Sequence, residues 1–208
     1  MLKKICLISS VLICLNACDK FHANADTYAA SNAVAASATV IPKPKQNLLE
    51  DREALSLAKT RLQAMPQFGG KPVQVFGNID FFDGVRPRIE LSVQSPDKAD
   101  DIWILRYEHE QWSSPILDED EEINRNKITP HLTPLSEIHF EDVVYAAQLW
   151  RTKAKEVNAV WTEPYHVAFI WMPKLKRRFW HTAEIETVGA QYYLSVNTDG
   201  TIWEWKKL

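Results

Sequence analysis

The sequence predicts an α+β fold made of one or two units in which a helix precedes an antiparallel sheet of about three strands, an αβββ order. Three observations lead there. Apolar residues fall at helical spacing twice, over 48–65 and again over 136–157, and β-type runs follow each stretch. Brief polar or glycine-containing turns, not further helices, separate those runs, which favours antiparallel neighbours. Composition allows a core, with 46% of residues hydrophobic, 11% aromatic and 25% charged.

The chain begins with Lys3 and Lys4 ahead of an apolar run from Ile5 to Leu15. That run is too short for the roughly 20 helical residues that cross a hydrocarbon core. Its layout is that of a cleaved secretory signal over residues 1–17. The closing Leu15-Asn16-Ala17-Cys18 resembles the lipobox of bacterial lipoproteins, in which Leu three places before Cys and a small residue just before it mark the cleavage site. The resemblance implies that Cys18 becomes the first mature residue and carries the lipid that ties the chain to the membrane. Asp19, directly after it, implies retention at the inner membrane as in enterobacterial lipoproteins, with the outer membrane the alternative. Either way the domain works in the cell envelope.

Losing Lys3 and Lys4 leaves 22 of 24 basic residues against 27 acidic ones, a net charge of −5. That balance argues against a nucleic-acid partner, whose phosphates are bound by cationic side chains. Cys6, Cys14 and Cys18 all lie in the signal or at its end. The mature fold is therefore expected to have no disulfide, thiolate metal site or cysteine nucleophile. Residues 18–46 comprise the lipidated Cys and a tether rich in Ala, Ser, Asn and Thr, closing on Ile41-Pro42-Lys43-Pro44-Lys45.

The first unit spans 47–116. Leu49, Ala54, Leu55, Leu57, Ala58, Leu62 and Met65 share one broad helical face, and Pro66 with Gly69-Gly70 ends the helix. Val73, Val75, Ile79 and Phe81 then share one parity up to an Asp83-Gly84 turn. Ile89, Leu91 and Val93 alternate with Arg88, Glu90, Ser92 and Gln94, as a strand with one wet face should. Ile102–Tyr107 makes a third strand, with Trp112 beyond a Glu108-His109-Glu110 turn.

Residues 117–135 read as an acidic, proline-punctuated connection. The run Asp118–Glu122 lacks the alternating ligands and central Gly of an EF-hand loop, so a solvated loop is expected.

The second unit, 136–208, opens with a helix begun by Ser136-Glu137 or by Glu141 and ending near Val157. In the strand after it, Tyr165, Val167, Phe169 and Trp171 alternate with His166, Ala168, Ile170 and Met172, so both faces are fairly apolar. Phe179, Ala183 and Ile185 come next, then Tyr192, Leu194 and Val196 running into the turn Asn197-Thr198-Asp199-Gly200. Trp203 and Trp205 are expected on one face of the return strand. At an offset of about 89 the halves repeat the order of elements, with Phe76–Phe82 falling on Tyr165–Trp171. Internal duplication and coincidence both stand. Residues 192–202, Tyr-Tyr-Leu-Ser-Val-Asn-Thr-Asp-Gly-Thr-Ile, resemble the closing hairpin of PepSY-type domains. That resemblance implies a non-catalytic modulator or inhibitor of envelope enzymes.

Catalytic signatures are absent. No Gly-X-Ser-X-Gly elbow or His-Glu-X-X-His helix occurs, and six glycines leave little room for a phosphate-cradling loop. His131 and His139 could meet across the start of the second helix, but a metal there is not favoured. Glu184 and Glu186 share a strand face with Trp180, a weak glycosidase-like pairing that reads more simply as a solvated face. No catalytic residue, metal or cofactor is assigned.

The function expected is non-covalent binding of another envelope or secreted protein, as inhibitor, immunity or assembly factor. The candidate surface combines Trp180, Tyr193, Trp203 and Trp205 with the basic hairpin tip at Lys176, Arg177 and Arg178. A solvated turn is the simpler reading of that tip, and core packing competes for each Trp. The alternatives are a small-ligand binder with a pocket between helix and sheet, and a cell-wall glycan hydrolase using Glu184 or Glu186.

Overall fold

Asp51 divides the first predicted helix. In the computed structural model, which describes residues 46–118 and 128–208, a single 3-10 turn covers Leu48–Glu50 and helix α1 runs from Arg52 to Gln63. The Asp51 side chain accepts from the Ala54 amide at 3.1 Å and caps α1. Cys18, Asp19, the tether and Glu119–Glu122 of the acidic run lie outside the described residues.

Four strands follow α1: β1 (Gln74–Phe82), β2 (Arg88–Gln94), β3 (Ile102–Glu108) and the short β4 (Gln111–Trp112). The expected third strand thus has a partner, reached through a tight turn with His109 and Glu110 both at positive φ. The connection predicted over 117–135 contributes structure too. Leu117 belongs to β5 (Ile116–Leu117), which pairs with β3, and β6 (Leu132–Pro134) pairs with β1. Helix α2 starts at Val143, later than either predicted signal, because short 3-10 turns occupy Leu135–Glu137 and Phe140–Asp142; it ends at Glu156. Then come β7 (His166–Met172), β8 (Arg177–Thr182), the short β9 (Ile185–Thr187), β10 (Ala190–Asn197) and β11 (Ile202–Lys207).

The architecture of the described residues is α+β, an antiparallel sheet with the helices α1 and α2. The two halves do not carry separate sheets. Their strands join edge to edge in the order β11-β10-β8-β7-β1-β2-β3-β4. The join is the antiparallel β1–β7 ladder, with Ile79 opposite Phe169 and Phe81 opposite Val167. Each half has a helix followed by an antiparallel meander, β1-β2-β3 with the short β4 in the first and β7-β8-β10-β11 with the short β9 in the second, so the broad order of elements is shared. The offset of 89 is nevertheless out of phase in the central strands. It lays the core residues Ile79 and Phe81 on Ala168 and Ile170, which alternate to the other face from core residues Val167 and Phe169.

Both helices contribute to one core on one side of the sheet. Leu55, Ala58 and Leu62 of α1 and Val143, Ala147, Trp150 and Ala154 of α2 join Val75, Ile79, Phe81, Leu91, Leu105, Phe169, Leu194 and Val196 from the strands. Trp150 is fully buried and its Nε1 donates to the Ala183 carbonyl at 2.8 Å, which meets the indole's polar requirement inside the core. Among the described residues no helix is long and apolar enough to cross a membrane.

Candidate binding face of the sheet

Because α1 and α2 lie on one side, the opposite face of the sheet carries neither of these two helices; for the described residues it is called the helix-free face. Directly opposed residues share a face, and the registers trace one row across seven strands of this face. It runs Arg106, Glu90, Asp80, Ala168, His181, Ser195, Glu204. The β1–β7 join lies at its centre, where Asp80 and Ala168 meet.

Charged and aromatic side chains engage one another along this row. Glu90 accepts from Arg88 and from Arg106, each at 2.9 Å. The Arg88 guanidinium lies 3.9 Å over the Phe82 ring, and Phe82 stacks on His166 with centroids 4.6 Å apart. His166 Nε2 is 2.9 Å from Asp80 Oδ1, a bond that requires the proton on Nε2. Beyond Ala168, His181 has Nδ1 3.3 Å from Ser195 Oγ and its ring 4.9 Å from Tyr193. Burial, then the neighbouring His166, push the His181 pKa below its ordinary value, while Glu184 pulls weakly the other way. The two histidine pairs are not in series. The acid bonds to His166, the serine to His181, and Ser195 is 0% exposed. Nucleophilic attack would need that hydroxyl at the surface.

The predicted site residues divide between the two faces. Tyr193 lies on the helix-free face. So does Trp203, whose ring is 4.4 Å from Phe179 and beneath Arg177 at 4.3 Å. Arg177 also donates to Asn197 at 3.2 Å. Trp180 is on the other face and 2% exposed, wedged edge-on against Phe81 and Phe169. This corrects its placement as a surface residue: its partners Phe169 and Val196 both point to the core, and Trp180 shares their side. Trp205 also faces the helices, stacked on Tyr192 at 5.0 Å with Lys153 over its ring at 5.6 Å. An irregularity in the β10–β11 register, where Ser195 opposes Glu204 and Val196 opposes Ile202, puts Trp203 and Trp205 on different faces against expectation. At the basic tip, Arg178 is ion-paired with Glu137 and lies over Trp171. Lys176 is exposed, in the left-handed conformation that closes the β7–β8 turn.

Other candidates come apart. His131 lies against Phe76 and His139 near Glu141; among the described residues no three potential ligands gather as a metal site. Glu184 and Glu186 are exposed, whereas Trp180, expected beside them, is in the core. A recess of about 300 Å³ opens between the start of α1 and the sheet. Leu48, Ala54, Pro87 and Tyr107 give it apolar walls, with exposed Val85 at its mouth, and the Arg86–Glu108 ion pair, at 2.7 Å, lies at its edge.

Asp80, Phe82, Arg88, His166 and His181 were not singled out as a site by sequence reasoning. The histidines were visible singly, but their company depends on a pairing across 86 positions. The usable signal was Ala168 in a strand with apolar residues on both faces.

No protein-family model and no curated protein matches the chain. Among solved structures it is similar to a protein from Clostridium difficile 630 described, provisionally, as a lipoprotein. The TM-score is 0.45 at 12% identity, over 79% of this chain and 100% of that one.

Proposed function

We propose that the chain is a lipid-anchored envelope protein whose folded domain binds another protein non-covalently through the helix-free face of its sheet. The supporting observation is that face itself. It sets the Arg88–Phe82–His166 stack, the Tyr193–His181 pair and the Trp203–Arg177 pair over buried Phe179 on strands of one sheet, and apart from Phe179 these aromatic and arginine side chains are half-buried, of the kind enriched at interfaces. Anchor and location rest on the resemblance of Leu15–Cys18 to a lipobox, with the inner membrane favoured by Asp19. The shared order of elements in the two halves supports an internal duplication. The partner surface differs from the one first expected, since Trp180 and Trp205 leave it while Tyr193, Trp203 and Arg177 stay.

A photo-crosslinking residue at position 193 of the full chain, in its native envelope, tests this reading. A discrete protein adduct is expected from 193 and none from position 57, which lies exposed on α1. Adduct patterns that do not differ between the two positions would reject the sheet face.

A second reading is favoured by the recess. Its apolar walls and position between helix and sheet suit a small amphipathic ligand. Loss of ligand-induced thermal stabilisation on Ala54→Trp, with crosslinking from 193 unchanged, would separate it from the first.

A further inference from the structure

The chain enters the folded domain at one end of the sheet, beside two loops that carry exposed apolar side chains. Asn47 donates from Nδ2 to the Pro164 carbonyl at 3.0 Å, and the Leu48 amide donates to Asp83 Oδ1 at 2.9 Å. The Asp83 amide donates in turn to the Tyr165 carbonyl at 2.9 Å. Three segments are thereby tied together: the start of the domain, the β1–β2 loop and the loop that leads into β7. Val85 in the first of these loops is 104% exposed; Trp161 and Tyr165 in the second are 63% and 51% exposed. Exposed Trp and Tyr rings, apolar in body and polar at one edge, suit the headgroup level of a bilayer.

What precedes Gln46 identifies the occupant, and here the inference rests on the lipid-anchor reading. About 28 residues separate Cys18 from the described domain, and a coil of that length spans about 30 Å. Strand β7, at about 3.3 Å per residue, is about 23 Å long. The tether would therefore hold the Gln46 end within roughly one domain length of the membrane. A contact too weak to form from solution becomes populated when it is intramolecular. The opposite end of β7 carries Leu175, 62% exposed, beside Lys174 and Lys176. That tip has apolar and basic character, yet the chain enters at the other end. Lys43 and Lys45 precede the domain at the Gln46 end, and Glu163 there is already ion-paired with Arg151.

We propose that the Gln46 end of the domain rests in the headgroup layer through Trp161, Tyr165 and Val85, with the Leu175 tip outermost. The full chain, purified from membranes, would be reconstituted into phosphatidylethanolamine–phosphatidylglycerol vesicles carrying one nitroxide at Val85→Cys, Trp161→Cys or Leu175→Cys. Cys6 and Cys14 leave with the signal and the Cys18 sulfur is blocked by lipid, so the added thiol is the one that reacts. Labels at 85 and 161 should show a several-fold higher ratio of oxygen to aqueous-nickel relaxation than the label at 175. Equal water access at all three positions would overturn the proposal while leaving the anchor intact. Protection of 85 and 161 from both reagents would mean that another protein chain covers this end, and would overturn it too. Labelling of the unsubstituted chain at Cys18 would defeat the anchor reading and the proposal together. Val85 is fully exposed, so its replacement leaves the fold alone.

Discussion

Trp180→Ala should cost about 4 kcal/mol of folding stability, and Trp180→Phe about 1 kcal/mol. The first figure follows from burial. Truncating a fully buried Trp to Ala removes about 3–5 kcal/mol through lost transfer energy and the cavity left behind. Trp180 is 2% exposed, and its ring is 6.0 Å from Phe81 and 5.3 Å from Phe169. The second figure is smaller for two reasons. A Phe ring retains the edge-on contacts, each worth about 0.5–1.5 kcal/mol. Among the described residues the indole Nε1 is also buried without a hydrogen-bond partner, and removing an unpaired donor recovers about 1–3 kcal/mol against the lost ring volume. Urea unfolding followed by far-UV circular dichroism reads both values. With m of about 2 kcal/mol/M, Trp180→Ala should lower the midpoint by about 2 M at unchanged m. A loss below about 1 kcal/mol for Trp180→Ala would return the side chain to the surface and refute the core assignment. Equal losses for Ala and Phe would instead show that Nε1 is satisfied.

Asp51→Ala removes the α1 cap and should cost about 1 kcal/mol in the same assay, with Asp51→Asn nearly neutral. The β3–β4 turn holds two non-glycine residues at positive φ, so His109→Asn with Glu110→Gly should gain about 1 kcal/mol. A loss there would mean that Arg61, which reaches both the Glu110 carboxylate and the Tyr107 hydroxyl, matters more than backbone strain. Burial lowers the folded pKa of His181, so below about 6.5 the unfolded chain takes up a proton that the folded chain refuses. Stability should therefore fall as pH drops from about 6.5 to the folded value, and His181→Gln should flatten that part of the melting-temperature profile. An unchanged profile would place the acid sensitivity elsewhere.

The elements were legible because their signals are local. The alternation of Ile89, Leu91 and Val93, the Asn197–Gly200 turn and the apolar face of α1 each depend on residues within a few positions of one another. What joins the halves is not local. Nothing near Ile79 announces that its neighbour is Phe169, so the sequence leaves open whether the strands form one unit or two. The same limit misplaced the tryptophans. Trp180 sits beside Phe179, one facing each way, and composition ranks them alike; only the register with Phe169 decides which is core. Trp203 and Trp205 share a parity that an irregular register breaks.

The β1–β7 ladder also fixes when the molecule is safe. While the chain is being made, β1 can gain β2 early, but the other edge of Ile79–Phe82 waits for residues 166–169. Strand β6 shields only Gln74–Phe76 in the interval. A product that stops short of β7 would carry Ile-Asp-Phe-Phe with its hydrogen-bonding edge open, a template for sticking to its own kind. Truncation products of this chain should therefore precipitate where the whole chain stays dispersed. A single break near residue 120 in the finished protein should leave both pieces clasped together.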